Sequence, residues 1–521
     1  MLAIKIMHGL IFDGSGRAGY RADIGIKGGR IATIGCLNDA AAAETIEADG
    51  LCIAPGFIDS HSHSDDWYFA NPYAVSKILQ GVTTEIVGHC GESPAPRAEA
   101  KTVPSAADDG QATWRTVGEF REALEKAGIG VNVAMLAGHG TLRTLVMDGE
   151  ARAPADRELT AITAVVRQAM AEGALGLSTG LMYPPGCYAG RGELTALAVC
   201  LRGEGGIYTS HVRSESEDLM AAVAEAVTVC AAAGVRGVVS HLKAAGRANR
   251  GRAAEAVAML AAARRQGVDI FCDVYPYTAL STSLGVLLPP WAHEGGPVAL
   301  GLRLKNPSLR EALTASINAR GADLADIVIT RAAASEHRRF VGQALPAVAA
   351  GLGRPLADAV IELLAASGGE AGMIWHAMGE DDLLAVLQAP FSIIGSDAGA
   401  RLSYGPLAVG LPHPRAYGAF PRFLARYVRD CGVLPLPAAI AKCTALPADI
   451  YRLAGRGRID LGYWADVTIF DYQALTDNAT YEKPFQPPDG IIDVLVNGVP
   501  AVRRGRLEYR LAGKFLTRRT D

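Results

Sequence analysis

Hydrophobic residues fall into two textures along this chain. At both ends they form short β-rich runs broken by glycine turns: residues 3–6, 22–26 and 30–34 near the start, 466–470 and 491–496 near the finish. Asn497-Gly498 is a tight-hairpin signal, because both residues tolerate the positive φ that a two-residue turn demands. Neither end alone has enough strands to bury a sheet face. The pattern predicts one small β domain assembled from residues 1–54 and 455–521.

Between them, over 55–454, short apolar runs alternate with amphipathic helical stretches, the texture of parallel βα units. Eight runs end in polar residues: 56–61, 84–88, 131–136, 174–177, 206–211, 237–241, 269–273 and 391–394. Eight parallel strands with helices between them predict an α/β fold, a (β/α)8 barrel whose active site lies at the C-terminal ends of the strands. More than a hundred residues separate the seventh run from the eighth. That gap predicts an inserted subdomain, roughly 285–385, near the barrel mouth.

Composition narrows the class. Half the residues are hydrophobic and a fifth charged, as in an ordinary globular enzyme. The net charge of −4 comes from interspersed acids and bases, with no basic block to suggest nucleic acid and no acidic tail. Nine cysteines without paired spacing argue against a disulfide framework and for a reducing compartment. The opening residues read as a strand, without the charged and apolar regions of an export signal. No apolar stretch reaches the roughly 18 residues a membrane helix needs. The expected location is cytoplasmic, with neither membrane nor nucleic acid as partner; oligomeric state is left open.

Metal-type residues gather at the predicted strand ends. His61-Ser-His63 closes the first run, and residues two apart on a strand face the same side. His89-Cys90 closes the second, His211 the fifth, His241 the sixth, and Asp397 follows the eighth. A lone His or Cys is more often a buried core residue. Converging imidazole, thiolate and carboxylate groups suit Zn²⁺. His8, His139, His293, His337 and His376 are expected to be structural, and the remaining cysteines core or incidental.

The layout resembles the amidohydrolase superfamily and, within it, the D-aminoacylase (N-acyl-D-amino-acid deacylase) family. The stretches that carry the likeness include Gly56-Phe-Ile-Asp-Ser-His-Ser-His63, Cys90-Gly-Glu-Ser-Pro-Ala-Pro96 and Gly176-Leu-Ser-Thr-Gly180 running on to Gly186. Ser210-His-Val-Arg-Ser-Glu215, Ser240-His-Leu-Lys243, Tyr275-Pro-Tyr277, Gly395-Ser-Asp397 and His413-Pro-Arg415 continue it nearly end to end. The resemblance implies that Cys90, His211 and His241 hold one tightly bound zinc. His61, His63 and Asp397 would form a second, more weakly filled site sharing Cys90. Asp397 would act as general acid and base, and Lys243, Tyr275, Ser281 and Arg415 would bind the α-carboxylate of a small N-acylated D-amino acid. The D preference is wholly the family's. His89 stands where the family pattern has Asn, and reads as a partner to a ligand rather than a ligand.

Rival readings remain in view. Hydantoinase- and dihydroorotase-like enzymes share such barrels but usually need a lysine at the fourth strand, and the fourth run ends Leu177-Ser-Thr-Gly180 instead. A D-dipeptidase is closer. A metal-binding scaffold without activity would be signalled by a missing ligand or a missing Asp397, and none is missing. Tyr183-Pro-Pro-Gly186 either shapes a pocket wall or ends a strand.

Overall fold

Every one of the eight apolar runs contains a strand. The structure, a computed structural model, describes residues 1–106 and 110–518. Phe57–Asp59, Val82–Val87 and Asn132–Met135 pair in parallel. So do Ala137–Gly138, Gly176–Gly180, Ile207–His211, Arg236–Val239, Ile270–Val274 and Ser392–Ile394. Val82–Val87 is buried at every position, as expected of a parallel strand covered on both faces.

The two sets are continuous through the third run: Leu136 N donates to Val87 O at 2.9 Å, and Leu175 N to Met135 O at 2.7 Å. The eighth strand lies beside the first, with Ser60 N donating to Ile394 O at 3.4 Å and Asp397 N to His61 O at 2.8 Å. The helices between strands bury one stripe each. In Asp156–Ala171 the stripe is Ile162, Val166, Ala169 and Met170, at helical spacing. The fourth strand runs past Leu177 to Gly180 because its polar residues bond inside the fold. Ser178 Oγ donates to Gly88 O at 2.5 Å and Thr179 Oγ1 to Ser210 Oγ at 2.9 Å.

The termini build two mixed sheets, mostly antiparallel, in which Leu2–Met7 runs parallel to Ala42–Glu47 and Leu10–Ile11 parallel to Cys52–Pro55. Val467–Phe470 pairs with Cys52–Pro55, and a four-stranded sheet built on Leu2–Met7 packs against them through Ile4, Ile6, Ile24, Ile53 and Leu495. Asn497 and Gly498 have φ of 51° and 77° between strands Ile491–Val496 and Val499–Arg503, the left-handed pair that a primed hairpin turn needs. Further on, the chain leaves this sheet: Val133 N donates to Lys514 O and Leu516 N to Val133 O, so residues 514–516 run along the third parallel strand.

Between the seventh and eighth strands stands a separate three-stranded antiparallel sheet, in the order Leu280–Ser283, Gly372–Trp375, Ile327–Arg331. All nine cysteines are free thiols. Among the described residues, no helix is long and apolar enough to cross a membrane.

Candidate metal centre and substrate cavity

The second, sixth and eighth strands end in residues with left-handed backbone. Cys90, His241 and Asp397 have φ of 55°, 33° and 51°. Such a conformation costs a non-glycine residue of order 1–3 kcal/mol and persists only where surrounding structure enforces it. Gly91, at φ 80°, follows Cys90, and a Cβ there would lie 2.6 Å from Gly180 N. The backbone is thus held tightly against the fourth strand.

These turns bring the ligand-type atoms together. Cys90 Sγ lies 3.4 Å from His61 Nε2 and 3.5 Å from His241 Nε2. His61 Nε2 is 3.5 Å from Asp397 Oδ1, which also meets His63 Nε2 at 3.1 Å. The ligand atoms of His61, Cys90, His241 and Asp397 all lie within 4.8 Å of one another, and those of His211, Glu215 and His241 form a second such group. All six expected ligands are therefore gathered, in two overlapping groups that share His241 and with His63 joined through Asp397.

Burial sets the protonation states. It pushes the His241 pKa down, helped by the Lys243 ammonium. The His211 pKa falls well below the ordinary value through burial and the neighbouring His241. Neutral imidazoles offer lone pairs. Burial raises the Cys90 thiol well above its usual range, with the Asp397 and Asp273 carboxylates adding to the effect. A cation beside it reverses that preference and favours thiolate. Both ring nitrogens of His211 are buried without a hydrogen-bond partner. Orphaned nitrogens beside a thiol, imidazoles and a carboxylate are the donor set that Zn²⁺ takes.

Two supporting carboxylates carry no periodic signal in the sequence. Asp273, the last polar residue of the seventh run, meets His61 Nδ1 at 3.1 Å and accepts from His241 N at 2.7 Å. Glu215 lies 3.0 Å from His241 Nδ1 and pairs with Lys243. Burial alone would raise the Glu215 pKa, yet Lys243, His211 and His241 hold it well below the carboxylate range. It stays an ionised acceptor and, together with Lys243, whose Nζ lies 2.7 Å from the same Nδ1, braces the His241 ring. Glu215→Gln is expected to weaken metal affinity by about 10–100-fold, measured by chelator competition; unchanged affinity would remove Glu215 from this role.

A second buried network braces the first strand against the eighth. Lys77 Nζ donates to Asp59 Oδ2 at 2.7 Å, Ser396 Oγ at 2.5 Å and Ala398 O at 2.6 Å, on either side of Asp397. Glu85 lies 3.5 Å from the same ammonium and accepts from Ser62, Ser64 and Tyr68. Lys77→Met leaves two buried carboxylates without their cation. The expected loss is about 3–5 kcal/mol, read as a lowered thermal midpoint; an unshifted midpoint would contradict it.

Above the centre opens a cavity of about 550 Å³, lined by Lys243, Tyr275, Ser281 and Arg415 as well as by His63, Cys90, His211, His241 and Asp397. Lys243 and Arg415 are buried, so neither is a surface residue. Arg415 lies over the Tyr275 ring at 4.5 Å and Lys243 Nζ at 5.4 Å. Arg415 Nη1 pairs with Asp397 Oδ2 at 2.8 Å, and Nη2 donates to Ser281 O at 3.4 Å. Tyr183 lines the cavity wall, its hydroxyl 3.0 Å from Thr282 Oγ1.

His89 lies against an expected ligand, through its ring and not through a hydrogen bond: it stacks on His61 at 4.0 Å, with both nitrogens buried and unpartnered among the described residues. His139 meets Glu193 at 2.8 Å within an ion network with Arg143, consistent with a structural residue.

Imidazole, thiolate and carboxylate groups converging where parallel strands end define a metal-dependent enzyme of the α/β class. The chain belongs to the amidohydrolase family, whose pattern matches residues 44–290 and 309–502, and within it to the D-aminoacylase family. It is 37% identical to the D-aminoacylase of Alcaligenes xylosoxydans xylosoxydans, over 98% of this chain and 96% of that protein. It is 36% identical to the N-acyl-D-glutamate deacylase of the same organism, over 98% and 97%. The crystal structure of N-acyl-D-glutamate deacylase from Bordetella bronchiseptica, complexed with zinc and a phosphonate mimic of the reaction's tetrahedral intermediate, superposes with a TM-score of 0.82. Identity there is 35%, with 99% of each chain covered.

Proposed function

We propose that this protein hydrolyses the amide bond of N-acyl-D-amino acids, releasing a carboxylate and the free D-amino acid with the help of bound zinc. The observation that carries the reading is the Cys90–His61–His241–Asp397 cluster at the base of a cavity that also holds Lys243, Tyr275, Ser281 and Arg415. We read the framework as a (β/α)8 barrel, residues 55–454, with an insertion between the seventh and eighth strands and a small β domain from 1–54 and 455–521. The strand pairing and the convergence of side chains at one end of the strands support it. A cytoplasmic location is in keeping with nine free thiols.

Cys90, His211 and His241 hold the principal zinc; His61, His63 and Asp397 form a neighbouring, weaker site. The chemistry such a centre supplies is Lewis-acid polarisation of the carbonyl and acidification of water. Asp397 takes a proton from the attacking water at a carboxylate oxygen and passes it to the departing nitrogen. Burial raises its pKa, but Arg415, His241 and the hydrogen bond from His63 hold it well below the carboxylate range. It is therefore ionised when substrate arrives and gives its proton up readily to an amine.

Arg415 and Lys243 bind the α-carboxylate over the face of Tyr275. Arg415 keeps a buried donor free for it, since Nε lacks a hydrogen-bond partner among the described residues. Arg415→Ala is expected to raise KM for N-acetyl-D-leucine and to abolish the preference for it over N-acetyl-D-leucinamide. An unchanged preference would remove Arg415 from carboxylate binding. The reading as a whole is tested by amine release from paired N-acetyl-D- and N-acetyl-L-amino acids. Release from the D members alone is expected; release from neither, with zinc bound, overturns it.

A further inference from the structure

The wall of the cavity differs in character from its base. Beside Ser281 the insertion presents Leu280, Val286, Leu287 and Trp375, and Met182 faces the same space. Leu280 and Trp375 are cross-strand partners in the antiparallel sheet, so the wall is built on regular structure. Leu280, Leu287 and Trp375 are buried, at 8%, 2% and 5% exposure, and are held by packing.

The cations that line the cavity are mostly engaged. Arg213 pairs with Glu225 at 3.1 Å, Lys243 with Glu215, and Arg415 with Asp397 at 2.8 Å. Among the described residues, Arg320 is the lining cation without an ion pair. The same lining carries Glu92, Glu217 and Asp218, all exposed and none in an ion pair. Three carboxylates against one free guanidinium leave the mouth negative, which disfavours a substrate bearing a second anionic group.

The side chain and the α-carboxylate of an amino acid leave the same carbon. A carboxylate held by Arg415 beside Ser281 therefore sets the side chain within reach of the segment that carries Leu280, Val286 and Leu287. Resting on the deacylase reading above, we propose that this wall receives the substrate side chain and selects N-acyl-D-amino acids with apolar side chains over those of glutamate and aspartate. An acidic side chain against this wall loses its water, and the one unpaired cation of the lining, Arg320, is outnumbered by Glu92, Glu217 and Asp218. An apolar one buries its surface against the wall.

The test is kcat/KM of the zinc-loaded protein on N-acetyl-D-leucine, N-acetyl-D-methionine, N-acetyl-D-glutamate and N-acetyl-D-aspartate. The apolar pair is expected to exceed the acidic pair by at least about 100-fold, the scale on which a mismatched group in an apolar pocket is rejected. Equal rates, or preference for the acids, overturn the inference while leaving the deacylase reading standing. Hydrolysis of none of the four overturns both. Val286 is only half-buried, so Val286→Lys places a cation on the wall with little disturbance. It is expected to narrow the leucine-to-glutamate ratio at least about tenfold; an unchanged ratio overturns the role of the wall.

Discussion

Asp397→Asn is expected to keep its metal and lose its turnover, with kcat falling by about 10²–10⁴-fold, the usual worth of a positioned proton-transfer group. The substitution preserves size and removes the charge. Asn still offers an oxygen to His63, which meets Oδ1 at 3.1 Å, so the strand end has reason to keep its shape. What disappears is a group that can take a proton from water and return it to a departing amine. Amines leave poorly without that proton, so the loss falls on the chemical step and not on binding. Steady-state kinetics with metal analysis on the same sample measure both halves. Turnover within tenfold of the parent would remove Asp397 from proton transfer; loss of metal together with turnover would make it chiefly a ligand.

Cys90→Ser is the second substitution with a large expected effect, on the metal itself. The thiol stands between His61 and His241, at 3.4 and 3.5 Å, and is the one sulfur in the cluster. Zinc binds thiolate far better than a neutral hydroxyl. Affinity should fall by more than about 100-fold, beyond what the loss of an outer partner such as Glu215 brings. Turnover at limiting zinc should fall with it. The fold should survive, because Ser is close in size and inherits the same left-handed turn between Gly88 and Gly91. Chelator competition reads the affinity and circular dichroism the fold. Zinc retained at full strength would place the principal metal elsewhere.

The eight strands were legible because parallel strands buried on both faces read as unbroken apolar runs, as Val82–Val87 does. The ligands were legible because they sit where those runs turn polar. The supporting shell was not. Asp273 and Glu215 look like ordinary polar residues after a strand, and their roles depend on His61 and His241, which lie far away in sequence. Glu215 lies four residues beyond His211, a spacing that gave a signal only in retrospect. Lys77, on the short helix Val75–Ile78, reads as a surface lysine until Asp59 and Glu85 are brought beside it. His89 shows the opposite limit: its neighbour His61 was foreseeable, but a stacked contact and a hydrogen bond leave the same trace in a sequence. Residues 514–516 carry too little pattern to reveal that they run along Val133.

The most direct test of the account strips the protein of metal and follows hydrolysis of N-acetyl-D-leucine as zinc is returned, with metal content measured at each point. Activity absent from the stripped protein and restored as zinc fills the cluster is the predicted result. Hydrolysis that survives complete removal of the metal, or zinc that returns to the cluster without restoring it, would contradict the account.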